Sequence, residues 1–269
     1  MAGQRELKKH LAGIKTTGKL ANAMKTVATA KFSRLSALHY GTSEYSRRCG
    51  DILGSFSRSV LFGDSDGGDG CLYILFTGNK GLCGGYNSEL CAFYESMDKA
   101  EKCKLIVCGK KGAELCKQKG IDGEYFEIDD MPTQADAGRL IEKITAEHSK
   151  YGDVRLVYRR FKNVMQQIPT VTPLFPRERD GADDVLFFPT REEVEAPVAM
   201  TCLRAMIYGV MVEVATGIQA ATLMTMRNAA DNAAEEAERT EVMLNRVRQS
   251  ELTADVIESA SGASDVYNN

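Results

Sequence analysis

Apolar positions recur at steps of three and four over two long stretches, one at each end of the chain, with short dense apolar runs between them. The C-terminal stretch, from about Pro197 to Ser259, has no proline after Pro197 and reads as one long helix. Over its last two-thirds Leu223, Met226, Ala230, Ala233, Ala237, Thr240, Leu244, Val247 and Ala254 form a seam with one polar slot, Glu251. A seven-residue repeat of this kind belongs to a helix that packs along another helix. Alanine and threonine in mid-seam require the partner backbone to come close. A helix of roughly 60 residues is about 90 Å long, more than a domain of this size is wide, so it is expected to project from a globular body. The N-terminal stretch, Gln4 to about Ser57, repeats Leu7, Leu11, Ile14, Ala21, Ala28, Phe32 and Leu35, with Gly18 and Lys25 as misfits. Gly13, Gly18, Gly41 and Gly50 each weaken it by about 1 kcal/mol relative to alanine. Such a helix needs a partner along its length, and the other chain end supplies one.

The middle of the chain has a different rhythm. Gly63–Gly70 is a polar glycine-rich linker. Strands are predicted at Cys71–Phe76, Lys104–Cys108, Glu124–Ile128 and Val154–Tyr158, and helices at Ser88–Ala100, Gly112–Lys119 and Thr133–Ser149, with Ser88 as an N-cap. Gln167–Phe175 contains two prolines and reads as an edge strand. Arg177–Phe188 is a charged excursion, after which Thr190 and Glu193 make a capping box that opens the last helix. Strands alternating with helices give an α/β domain on a largely parallel sheet. The fold class is therefore α/β: a long antiparallel two-helix coiled coil from the terminal segments, with an inserted Rossmann-like domain. The expected divisions are 1–60, 70–176 and 190–269.

Composition narrows the function. Charged residues are 26% and net charge is −3, so nothing global points to nucleic acid or an anionic membrane. The charge is unevenly placed. Arg5, Lys8, Lys9, Lys15, Lys19, Lys25, Lys31, Arg34, Arg47 and Arg48 face only Glu6 and Glu44 in the first stretch, whereas acids outnumber bases from Asp231 to Glu258. Two helices that pair can show such complementarity. The eight cysteines form no CxxC pair and have no histidine close by, so they read as buried small hydrophobes in a reducing compartment. No apolar run approaches 18 residues, and the polar N-terminus does not read as a signal peptide.

Candidate chemistry is thin. Gly81-Leu82-Cys83-Gly84-Gly85-Tyr86-Asn87 lies between a strand and a helix, where a phosphate could be cradled. It is not G-x-G-x-x-G and lacks the GK[ST] of a phosphate loop, so tight packing through Gly81, Gly84 and Gly85 is the favoured reading. Cys83 as a nucleophile would need His148, the one histidine outside the N-terminal helix. Asp129-Asp130 and Asp183-Asp184 read as solvated turns rather than acid–base or metal pairs. No catalytic residue, metal or cofactor is expected.

Three blocks carry a resemblance. They are Lys8–Ile14 leading into Ala23–Lys31, the glycine-rich turn Gly81–Asn87, and Ala229–Ala233 running through Asn245–Gln249 to Thr253. In order and spacing they are similar to the gamma subunit of the F-type ATP synthase, the central rotor shaft, and the match covers essentially the whole chain. Where that family usually has Asp-Arg before the turn, this chain has Asn79-Lys80. Where it often has Ser-Glu and Ala-Arg-Met, this chain has Gly217-Ile218 and Ala221-Thr222-Leu223. The resemblance implies a non-catalytic, single-copy subunit that turns inside a ring of alpha and beta subunits. Its sheet domain would be a foot on the epsilon subunit and the c-subunit membrane ring. It implies ring contacts at Met24, Lys25, Arg248, Gln249 and Thr253, and a foot turn at Gly81, Leu82, Cys83, Gly84, Gly85 and Asn87. The implied location is the cytoplasmic face of a bacterial cell membrane, ahead of the mitochondrial inner membrane or thylakoid. The cysteine-bearing insertion of chloroplast members is not evident, so light-driven thiol control is not expected. The alternatives are a nucleotide- or cofactor-binding α/β enzyme with helical arms, and a self-pairing coiled-coil scaffold.

Overall fold

The computed structural model describes residues 3–54, 56, 70–148, 150–175 and 188–267, with side chains for all of these except 148 and 258–267. Most of the expected 63–70 linker and 177–188 excursion, and with it Asp183-Asp184, lies outside the described residues. The chain divides into two compact units, Met1–Val27 with Thr225–Asn269, and Ala28–Met224. Helices α1 (Gln4–Leu53) and α5 (Arg191–Tyr267) contribute residues to both.

The larger unit holds β1 (Cys71–Phe76), α2 (Tyr86–Ser96), β2 (Cys103–Cys108), α3 (Lys110–Gln118), β3 (Glu124–Phe126), α4 (Gln134–His148), β4 (Asp153–Asn163) and β5 (Gln166–Pro173). The strands form one sheet in the order β3-β2-β1-β4-β5. The first four are parallel and β5 returns antiparallel at the edge. Pro169 and Pro173 sit on that edge strand, paired with Arg159 and Arg155. There the missing amide proton costs no central ladder bond.

Side chains of β1 alternate between two cores, as the two-residue period demands. Cys71, Tyr73 and Leu75 pack with Leu90, Cys91 and Tyr94 of α2 and Cys116 of α3. Leu72, Ile74 and Phe76 pack with Leu140, Ile141 and Ile144 of α4, and also with Cys49 and Leu53 of α1 and Leu203, Ile207 and Met211 of α5. Thus the inner half of each long helix belongs to the core of this unit.

Several expected boundaries shift. Helix α2 starts at Tyr86 with Gly85 as its N-cap and no side-chain cap, so Ser88 is inside the helix, its hydroxyl donating to the Gly85 carbonyl (3.2 Å). Helix α4 carries a side-chain cap that the sequence reading did not name. Asp136 accepts from the Thr133 amide and hydroxyl (2.8 Å each), and the Asp136 amide donates to Thr133 Oγ1 (3.3 Å), a reciprocal box with aspartate at the third position. Strand β4 runs five residues beyond Tyr158, because Arg159–Asn163 form a hairpin with β5. The expectation that no apolar stretch is long enough to cross a bilayer fails in α5. That helix has an 18-residue window of mean hydropathy 1.6 with 56% of it buried. Its Ala199, Leu203, Ile207, Met211, Val214 and Ala220 are in the interior.

In the smaller unit the two chain ends pair antiparallel. Moving from Gly18 back to Lys15 in α1 corresponds to moving from Ala233 on to Glu241 in α5. Leu7 and Ala21 of α1 and Met226, Ala230 and Thr240 of α5 are buried, and Ile14, Ala233, Ala237, Leu244 and Val247 are half-buried on the same stripe. Gly18 is on the seam rather than a misfit. A Cβ there would sit 3.3 Å from the Cβ of Ala233, which is why the slot takes glycine. Lys25 is likewise half-buried on the stripe. The Lys15–Glu241 pair at 2.5 Å shows the expected charge complementarity, but both side chains are about half exposed and the contribution is at most about 1 kcal/mol. The seam ends before Ala254, because every side chain from Arg248 to Ile257 is exposed.

Candidate functional site

The glycine-rich turn is closed on itself. Asn87, 3% exposed, accepts from the Gly78 amide through Oδ1 (2.9 Å) and donates through Nδ2 to the Lys80 carbonyl (3.2 Å) and Cys83 Sγ (3.3 Å). Gly84 takes φ +59, and Leu82 takes φ +63 without being glycine, with its side chain mostly exposed. Gly81 has no neighbour in the way of a Cβ and no positive φ, so this turn does not require glycine there. The Gly78 amide, a donor that could have faced a phosphate, is thus taken by Asn87. Cys83 is buried and held by the same asparagine, and burial pushes its thiol pKa up, opposite to what a nucleophile needs.

Asn79-Lys80, which depart from the family pattern, carry a second clasp. Asn79 Nδ2 donates to the Ile128 carbonyl (2.6 Å) and its Oδ1 accepts from the Lys110 amide (3.0 Å). Asp130 accepts from Lys80 (2.6 Å) and from Lys31 of α1 (3.5 Å). Burial would raise the Asp130 pKa, but Lys80, Asn79 and Lys31 together hold it below the usual carboxylate range. Asp130 therefore joins three segments and is more than the solvated turn residue expected from sequence.

Strand order 3-2-1-4 places a crevice beyond the carboxyl ends of β1 and β4, where doubly wound folds bind ligands. Here α5 fills it. A Cβ on Gly78, just past β1, would lie 3.3 Å from Ile218 Cδ1. Gly217 leaves room for the Tyr86 ring, 3.3 Å from where its own Cβ would be. Glu213 accepts from the Phe161 amide (2.9 Å), and burial raises its pKa. Phe161 in turn stacks against Phe32 (centroids 6.1 Å apart) and His39 (5.9 Å, edge-on) of α1. The Arg159 guanidinium lies 5.3 Å from the Tyr86 ring centroid. A cavity of about 320 Å³ beside this contact is lined by His39, Tyr158, Thr172, Met206, Val210 and Glu213. Its carboxylate is already committed to a backbone amide, and burial lowers the His39 pKa.

This packing accounts for the other departures. Gly217 and Ile218, where polar residues were expected, make apolar contacts with Tyr86 and Gly78, and Thr222 turns its hydroxyl back to the Ile218 carbonyl (2.8 Å). Costs remain, since the Tyr86 hydroxyl is buried with no hydrogen-bond partner, as are His39 Nδ1 and Thr172 Oγ1 at the neighbouring cavity. Replacing Tyr86 with phenylalanine is expected to leave stability unchanged or raise it by about 1 kcal/mol, read as a higher urea midpoint.

The positions implied for partner contact do not cluster into a pocket. Arg248, Gln249 and Thr253 are exposed on α5 past the end of the seam, and Thr253 returns its hydroxyl to the Gln249 carbonyl (2.8 Å). Met24 and Lys25 are half-buried on α1. Sequence reasoning missed the exposed apolar residues nearby on α5, Leu252 at 53%, Val256 at 67% and Ile257 at 61%. The signal was available: they are large apolar residues off the seam.

Two chain ends paired as antiparallel helices, and a doubly wound domain whose switch-point crevice is filled by its own helix, define an α/β protein with a two-helix coiled coil. Comparison with known proteins agrees. The family profile described as ATP synthase matches residues 3–266. The chain is 26% identical to the ATP synthase gamma chain of Moorella thermoacetica over 98% of this chain and 99% of that one. It is 28% identical to that of Rhizobium rhizogenes over the same shares. Its fold is similar to a chain of the Euglena gracilis mitochondrial ATP synthase rotor, with TM-score 0.71 at 17% identity, covering 93% of this chain and 98% of that one. The chain belongs to the ATP synthase family, among its gamma chains.

Proposed function

We propose that the chain is the central rotor shaft of an F-type ATP synthase, coupling ion flow through a membrane ring to ATP synthesis or hydrolysis in the surrounding catalytic subunits. The observation that carries this reading is the filled switch-point crevice. The switch-point crevice of the inserted domain is packed with α5, which supports a reading in which catalysis belongs to other subunits. The antiparallel coil would be the shaft. Turning within a ring of alpha and beta subunits, it would present different faces to each catalytic site and shift the site's conformational populations through differential contact. Exposure of Arg248, Gln249 and Thr253 supports their role in that contact, with Met24 and Lys25 on α1. The sheet domain, through Gly81–Asn87, would be the foot that meets the epsilon subunit and the c ring. The chain would be present once per complex, peripheral on the cytoplasmic face of the membrane.

The test is affinity capture from native membranes followed by subunit identification. Alpha, beta, epsilon and c subunits should co-purify with one copy of this chain, whereas a homodimer free of them would refute the proposal. Truncation gives a second, mechanical test. Residues 253–257 are past the seam and exposed, so deleting everything after Leu252 should change stability by no more than about 0.5 kcal/mol. ATP synthesis by the reconstituted complex should nevertheless fall several-fold.

A further inference from the structure

Half of the chain's eight cysteines lie on the sheet face covered by α2 and α3. Cys71, Cys91 and Cys116 are buried there, and Cys103 is exposed on β2 directly opposite Cys71. Two of them are close. Cys91 Sγ on α2 is 3.9 Å from Cys116 Sγ on α3, within a layer otherwise made of Tyr73, Leu90, Tyr94 and Val107. A disulfide bond is about 2.05 Å long, so each sulfur need move only about 1 Å.

We propose that Cys91 and Cys116 are a two-electron redox site, at which a peroxide converts the thiol pair into a disulfide that staples α2 to α3. In the first step the Cys116 sulfur attacks one peroxide oxygen. An S–O bond forms, the O–O bond breaks, and the departing hydroxide takes up the thiol's proton to leave as water. In the second step the Cys91 sulfur attacks the Cys116 sulfenic acid. The S–S bond forms, the S–O bond breaks, and the hydroxyl leaves as water with the Cys91 proton. The two thiols together lose two electrons and one peroxide becomes two waters.

The order of attack follows from the hydrogen bond between the sulfurs. With Cys91 as donor, the bond lowers the Cys116 pKa and raises that of Cys91. The Lys119 ammonium at the end of α3, paired with Glu95 of α2, pulls both thiol pKa values down, while burial raises both, so the hydrogen bond is what tells the two sulfurs apart. Thiolate is the form that reacts with peroxide. Cys116 is therefore the attacking sulfur and Cys91 the resolving one.

The consequence is mechanical. Helix α2 begins at the turn tied by Asn87, and the first amide of α3 is held by Asn79. Closing the 25-residue span between the cysteines would bind the outer layer of the domain covalently, beyond the reach of its hydrogen bonds. A cross-link of this kind constrains the unfolded chain and raises the melting temperature.

The test uses the intact chain, exposed to hydrogen peroxide, alkylated, digested and mapped by mass spectrometry. The Cys91–Cys116 cross-linked peptide should appear before any joining Cys71 to Cys103, or Cys49 to its hydrogen-bonded neighbour Cys202. Alkylation of Cys91 and Cys116 should fall by about tenfold, and dithiothreitol should restore it. The melting temperature should rise on oxidation in the wild type and not in Cys91→Ser, where Cys116 should stop at sulfenic or higher acids. The mapping needs no variant, so a poorly folding Cys91→Ser would not block it. The proposal is overturned if both thiols remain alkylatable once Cys103 is oxidised, or if another pair cross-links first.

Discussion

Alanine in place of Gly109 is expected to destabilise the sheet domain by about 4 kcal/mol, combining backbone strain and overpacking. Two effects combine at this residue. Its φ of +103 with ψ of 127 lies in a region that side chains avoid. An added Cβ would also be 2.7 Å from the carbonyl carbon of Thr77 and 2.8 Å from its hydroxyl. Thr77 cannot retreat. Its amide donates to the Cys108 carbonyl (2.8 Å), its hydroxyl donates to the same oxygen (2.7 Å), and the Gly109 amide reaches Phe126 of β3 (3.3 Å). Three strand ends meet at this one point. For a unit of this size the loss corresponds to a fall of roughly 10 °C in melting temperature, measured by scanning calorimetry. Gly120 is the control. It has φ +71 but nothing within 4 Å of a Cβ, so its alanine variant should carry only the conformational penalty, about 1 kcal/mol. Equal losses at the two sites would show that the packing against Thr77 is unimportant.

Leucine in place of Asn87 should cost about 3 kcal/mol, because it strands a buried amide and a carbonyl at once. Leucine fills similar space but offers nothing to the Gly78 amide or the Lys80 carbonyl, both now served by the asparagine. Alanine would add a cavity to the same loss. Aspartate separates the contributions. It keeps the acceptor for Gly78, removes the donor to Lys80 and Cys83, and brings a charge into a site only 3% exposed. Its stability should therefore rise as the pH is lowered toward protonation, whereas the leucine variant should show no such gain over wild type. Urea titrations of the three proteins at neutral and mildly acidic pH would distinguish these outcomes.

Much of this architecture can be read from periodicity. The dense apolar run at Cys71–Phe76 and the three-four rhythm of the chain ends each correspond to an observed element, because the strand is buried on both faces and each long helix buries a stripe. What escapes a linear reading is whatever depends on a distant neighbour. Gly18 looks like a flaw until Ala233 is placed opposite it. Residues 159–163 of β4 have no continuous apolar pattern, and the hairpin with β5 makes them a strand. Asp130 looks like a turn residue because Lys80 and Lys31, which it joins, lie far away in sequence. Apolar Gly217 and Ile218 stand where polar residues were anticipated, since Tyr86 and Gly78 lie against them only in three dimensions. The contact positions on the long helices could be placed on a face but not assigned a partner, since exposure alone does not say what covers a surface.

The plugging of the switch-point crevice by α5 also bears on regulation. A ligand that occupies a pocket from solution comes and goes with its concentration, but a segment of the same polypeptide has no such dependence. A solute would have to displace Ile218, and with it the helix that carries it, before it could enter between β1 and β4, so this crevice does not fill and empty with concentration as an open pocket does.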